Sequence, residues 1–158
     1  MKEVYLVYLL RNIDFGSCIV FSSSCRRCSF TEALLTALKV SVAPLHSEMP
    51  QSKRLQTLQL FKGGQVSVVV CTDVAARGLD IPAVDLVLNF DFPRAAEDYL
   101  HRVGRTARAG RSGKSISLVS QYDVELLQAA EKYAGVRMDE WETEESKVLE
   151  GLSEVTKM

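Results

Sequence analysis

Long apolar runs are missing from this chain. Its most hydrophobic N-terminal stretch, Tyr5-Leu-Val-Tyr-Leu-Leu10, is stopped by Arg11 and Asp14. That falls far short of the roughly 18 residues a membrane span takes, and no small-residue cleavage site follows. A core helix is expected there, and no membrane partner. Charge of one sign is lacking too. Nineteen Lys and Arg stand against 20 Asp and Glu, so the total neither forces disorder nor marks a polyanion partner. There is no internal repeat and no low-complexity segment, which removes solenoids and linkers. Cysteine is sparse: Cys18, Cys25, Cys28 and Cys71. A chain of 158 residues buries roughly 70% of its unfolded surface without staples, so reduced thiols in an intracellular compartment are expected. Missing as well is G-x-x-x-x-G-K-[ST], the loop whose amides cradle nucleotide phosphates. Gly113-Lys-Ser115 has the ending, but Arg108 occupies the position of the first glycine.

What is present is patterned. The near-neutral sum hides a basic segment, Arg94, Arg102, Arg105, Arg108, Arg111 and Lys114 against Glu97 and Asp98. Beyond Met138 the balance reverses, with Asp139, Glu140, Glu142, Glu144, Glu145, Glu150 and Glu154. Short β-branched runs recur at Ser17–Phe21, Val40–Ala43, Val66–Cys71, Val84–Leu88 and Ser115–Val119. They are nearly continuous in hydrophobicity, as strands covered on both faces must be. Between them lie helical spacings such as Leu34, Leu35 and Leu38, then Leu55, Leu58 and Phe61, closed by Gly63-Gly64. Pro50 suits the opening turn of the second helix. Alternating strand and helix predicts an α/β domain with a mostly parallel sheet between two helical layers. Ligands of such folds gather at the carboxyl ends of the strands. After Val119 the pattern turns helical, with Val124, Leu127 and Ala130 on one face and Val148, Leu149 and Leu152 on another. We therefore expect a domain over 1–134 and an acidic helical extension over 135–158.

The most specific segment is Tyr99-Leu-His-Arg-Val-Gly-Arg-Thr-Ala-Arg-Ala-Gly-Arg111. Arg102, Arg105 and Arg108 stand three apart, a spacing that places guanidiniums on one helix face. Arginine grips phosphate oxygens through a planar fork that never deprotonates. Spacing alone fits a solvated basic face just as well. The second segment, Val70-Cys-Thr-Asp-Val-Ala-Ala-Arg-Gly-Leu-Asp-Ile-Pro82, follows a predicted strand. Here the chain resembles the DEAD-box RNA helicases. Thr72 to Asp80 is similar to their motif V, His101 to Arg108 to motif VI, Ile19-Val-Phe-Ser22 to motif IV, and Gln51-Ser-Lys-Arg54 to the Gln-x-x-Arg motif. Asn89-Phe-Asp-Phe-Pro93 looks like the family's link between motifs V and VI. The similarity runs from about Lys2 to about Tyr133, in family order.

The resemblance implies a second RecA-like domain of an ATP-dependent RNA helicase. Arg105 and Arg108 would be arginine fingers on ATP bound to an N-terminal RecA-like domain, Asp80 would accept from the ribose, and Gly78 would let the backbone approach. His101 and Arg102 would couple nucleotide to the interdomain contact, with Asp73 and Arg77 bracing the motif V loop. Thr72 and Arg54 would hold the RNA backbone, helped by main-chain groups at Phe21 and Ser22. Two departures stand out: Ser47 follows His46 where the family has glycine, and Ala107 replaces the commonest glycine of motif VI. The Asp-Glu-Ala-Asp run for magnesium and the Ser-Ala-Thr element are absent. ATP with Mg2+ is thus expected to be anchored by the other domain, and this chain alone to be an inactive monomer. A protein cofactor is a further expected partner. The competing reading is a free-standing RNA-binding or docking module without ATPase activity.

Leu45-His-Ser-x-Met49 and Gln121-Tyr-Asp123 resemble a nucleolar branch that assembles the small ribosomal subunit. Nucleus or nucleolus is the compartment this implies, with cytoplasm the alternative. Cys25-Arg-Arg-Cys28 is read as two partly exposed thiols at a helix start, because zinc needs four ligands and the other cysteines lie in predicted strands. No metal is expected; His46 is assigned to loop support, and Tyr5, Tyr8 and Trp141 to packing.

Overall fold

The computed structural model describes residues 1–106 and 113–156. In chain order the elements are α1 (Lys2–Asn12), β1 (Cys18–Phe21), α2 (Cys25–Ala37), β2 (Val42–Leu45), α3 (Gln51–Lys62), β3 (Val68–Cys71) and α4 (Asp73–Arg77), followed by β4 (Leu86–Asn89), α5 (Ala96–Val103), β5 (Lys114–Ser117), α6 (Val124–Ala134), α7 (Glu145–Leu149) and α8 (Leu152–Thr156). The sheet is parallel, ordered β2-β3-β1-β4-β5. The expected three-layer α/β architecture is the one observed.

Both faces of the sheet are dry, which explains the unbroken hydrophobic runs. Cys18, Val20, Val68, Val70, Leu86 and Leu88 pack with α1 and α2 through Leu6, Leu9, Cys28 and Leu35. Ile19, Phe21, Val69, Cys71 and Val87 face the other way, against Leu58 and Phe61 of α3 and Ala75 and Ala76 of α4. Truncating a buried leucine such as Leu6 or Leu35 to alanine would cost about 2–5 kcal/mol. A third cluster joins Phe92, Tyr99 and Ala130, locking α5 to α6.

The edge strand β2 starts two residues later than the run Val40–Ala43 suggests and contains Pro44. Proline is tolerated because its missing N–H lies on a sheet edge. Val124 is exposed, and Leu126 and Leu127 pack in its place. Past Gly135, whose φ of 69° ends α6 in the left-handed region, the chain returns to α1. There Val155 packs with the α1 cluster and Arg11 pairs with Glu154 at 2.9 Å. The acidic helix is split at Gly151 into α7 and α8. Trp141 is about half exposed, with the Lys114 ammonium 5.4 Å from its ring centroid, rather than packed.

The register matters most for function. Leu45, Cys71, Phe21, Asn89 and Ser117 lie opposite one another in a single row. They are the last residues of their strands. Everything that follows them opens on one edge of the sheet.

Candidate functional site

Arg102 organises that edge from inside. It lies in the last turn of α5 with only 2% of its surface exposed. Its Nε and Nη2 donate to the two carboxylate oxygens of Asp73 at 2.7 and 2.8 Å. Nη1 donates to Asn89 Oδ1 at 3.3 Å and to the Asp91 carbonyl at 2.6 Å. The guanidinium also stacks over Phe21, 4.9 Å from its centroid, a contact worth about 2 kcal/mol when dry. One side chain thus ties the ends of β1, β3 and β4 to α5. The expected placement of Arg102 and Arg105 on one helix face is therefore corrected. Gly104 caps α5 and Thr106 bridges to Val84, its hydroxyl donating to the Val84 carbonyl at 2.5 Å. The chain leaves the helix before Arg105, and Arg102 points inward.

On the outer side of this network lies a shallow cleft lined by Phe21, Asp73, Ala76, Arg77, His101, Arg102 and Arg105. Its volume of about 10 Å³ is far below the several hundred Å³ that enclose a ligand. Arg105 reaches across it, with Nη2 2.6 Å from the Ala76 carbonyl. His101 is exposed, its Nδ1 3.8 Å from Asp98, which also accepts from Arg77 at 2.5 Å. Asp80 is exposed at the end of the same loop. At Gly78, φ is −86° and an added Cβ would meet nothing within 4 Å, so nothing within the described residues requires glycine there. Arg108 and Ala107 lie outside the described residues.

Of the expected RNA residues, Phe21, Ser22 and Thr72 sit at the strand ends and Arg54 lies in α3. Phe21 is 1% exposed. Its carbonyl accepts from the Asp91 amide, while the Ser22 amide donates to Cys71 and the Ser23 amide to the Asp91 carboxylate. Of the main-chain groups expected to help at Phe21 and Ser22, the Phe21 carbonyl and the Ser22 amide are engaged within the fold. What remains is the side chains. Ser22 Oγ, Thr72 Oγ1 and Arg54 Nε are buried without a hydrogen-bond partner, as is His46 Nδ1. Leaving a buried polar group unmade costs about 1–3 kcal/mol; Ser115 Oγ within β5 is a further such atom, and these are the places where an outside partner would gain most.

Asp91 is the structural residue that sequence reasoning passed over. Its carboxylate accepts from Ser23 and from Arg27 Nε, at 2.9 and 2.7 Å. Burial pushes this carboxyl up, but the bonds from Arg27 and Ser23 outweigh it and hold the group below the ordinary carboxylate range. The signal was present in Asn89-Phe-Asp-Phe-Pro93, read only as a link. The thiols are corrected as well. Cys28 is fully buried, donating to the Val70 carbonyl at 3.0 Å, and burial pushes its thiol up to about 12. Cys25 alone of the pair reaches the surface.

Comparison with known proteins decides the family. The Helicase conserved C-terminal domain matches residues 1–110, which include the arginine network and the strand ends Phe21, Leu45, Cys71 and Asn89. The chain belongs to that family. This helicase C-terminal domain is 50% identical over 148 residues to the ATP-dependent RNA helicase DDX47 of Drosophila melanogaster, covering 94% of the chain and 29% of that protein. It is 47% identical over 148 residues to the ATP-dependent rRNA helicase RRP3 of Coccidioides immitis, covering 94% and 31%. Among solved structures it is similar to Mss116p DEAD-box helicase domain 2 bound to an RNA duplex, with a TM-score of 0.81, 28% identity, and 98% and 65% of the two chains covered. The helicase C-terminal domain spans about 30% of the length of the two relatives named above.

Proposed function

We propose that this chain works as the second RecA-like domain of an ATP-dependent RNA helicase that separates or remodels RNA duplexes. The observation that carries the reading is a coincidence of two independent facts. Thr72 and Arg54, assigned to the RNA backbone by motif, are residues whose buried side-chain polar atoms have no partner, as is the side chain of Ser22, where the motif reading had placed main-chain contacts. A sugar–phosphate backbone laid along the strand ends would satisfy them without reading sequence. Across the Arg102 network, Arg105 and Arg108 would meet the phosphates of ATP and Mg2+ anchored on an N-terminal RecA-like domain, with Asp80 on the ribose and Gly78 leaving room. His101 and Arg77, tied to Asp98, would transmit that contact, while Arg102 positions rather than binds. A cleft of about 10 Å³ supports half a nucleotide site, completed by another domain. ATP closes the pair over one RNA strand and hydrolysis reopens it.

The working unit is 1–134, with 135–158 an acidic helical extension that could engage a protein cofactor. The relative's name as an rRNA helicase supports ribosomal RNA as substrate and the nucleolus as compartment. Both relatives are named as ATP-dependent helicases, which disfavours a free-standing binding module. In the full-length protein, Arg105→Ala is expected to retain RNA binding while ATP turnover falls about 10³- to 10⁵-fold. Unchanged turnover would remove the finger assignment.

A further inference from the structure

We infer that Cys25, His46 and Glu48 form a zinc-binding site beside the end of β2. The Cys25 thiol, a ring nitrogen of His46 and a Glu48 carboxylate oxygen all lie within 4.8 Å of one another. His46 is 8% exposed, and its Nε2 sits 3.3 Å from Ser29 Oγ. Its Nδ1 is buried with no partner. An Nε2–H donated to Ser29 Oγ would leave Nδ1 a lone pair for a metal, as in a metal-binding histidine. Ser47 Oγ, 3.3 Å from Cys25 Sγ, is placed to donate to a thiolate. The sequence departure at Ser47 thereby acquires a use.

Thiolate, imidazole and carboxylate together are a zinc donor set, whereas calcium and magnesium take oxygen. Donors around one tetrahedral zinc stand roughly 3.3–3.8 Å apart, given bonds of about 2.0–2.3 Å. The site must therefore contract by about 1 Å, through the exposed Glu48 and the half-buried Cys25 while His46 stays held. Cys28, the obvious partner of Cys25 in sequence, is turned into the core. The ligand set is assembled instead across the α2 start and the β2–α3 loop, which spacing along the chain does not reveal. Three protein ligands leave a fourth position for solvent.

The test is titration of the metal-free chain with Zn2+ against a chromophoric chelator under reducing conditions, paired with the absorption spectrum of the Co2+ form. One equivalent is expected to bind, with affinity lowered at least about tenfold in Cys25→Ser and in Glu48→Gln. The Co2+ form should show a thiolate charge-transfer band that Cys25→Ser lacks and Cys28→Ser keeps. If Cys25→Ser fails to fold, the exposed Glu48→Gln carries the affinity comparison. Zinc bound no more tightly by the native chain than by these variants, or a Co2+ spectrum without a thiolate band, overturns the site.

Discussion

The two halves of the sheet edge differ in how far the chain satisfies itself. Around Arg102 the Asp73 carboxylate, Asn89, the Asp91 carbonyl and the Phe21 ring all take up the guanidinium. At Ser22 and Thr72, and at Arg54 of α3, by contrast, buried polar atoms stand without partners. A closed network stabilises the fold and holds geometry. An open one costs stability and is retained where something else completes it. The contrast separates residues closed within the fold from residues left open to a partner.

The strongest way to break the comparison is Arg102→Ala, which would leave Asp73 facing a partly buried cavity. Losing one partner of such a pair costs about 3–5 kcal/mol, read by chemical denaturation. A loss below about 1 kcal/mol would mean that the network is not the scaffold described. Asp91→Asn probes the same side through pH. Because the folded Asp91 carboxyl titrates below its unfolded counterpart, its contribution is present above the unfolded value and is lost as pH falls through the folded one. Stability of the Asn variant should therefore fall less steeply than native in that acid window, and equal slopes would contradict the assignment. Gly78→Ala tests the other side. With no neighbour within 4 Å and a negative φ, it should leave stability unchanged or raise it by up to about 1 kcal/mol. ATP turnover of the full-length protein should nevertheless drop, if glycine is needed for the nucleotide's approach.

The layer order and the helices could be read from the chain because continuous apolar runs and three-four spacing report burial directly. Pro44 hid part of β2, since only an edge strand admits it, and edge position is a property of topology. Arg102 and Arg105 read as one helix-face series because spacing carries no information on where a helix ends. Gly104 and the Thr106 bridge to Val84 decide that. Cys28 and Cys25 differ for a similar reason: adjacent turns of α2 face core and solvent. The row of unpartnered atoms is invisible in sequence altogether. Ser22 and Thr72 are brought side by side by the register that aligns Phe21 and Cys71.

The central claim is that the open row exists for RNA, and Thr72→Val tests it most directly. The substitution removes a buried hydroxyl that has no partner in the fold, so melting temperature should hold or rise. RNA affinity of the full-length protein should weaken about tenfold or more, the loss of one hydrogen bond to a charged phosphate. A variant that melts lower yet binds RNA as tightly as the native protein would contradict the account.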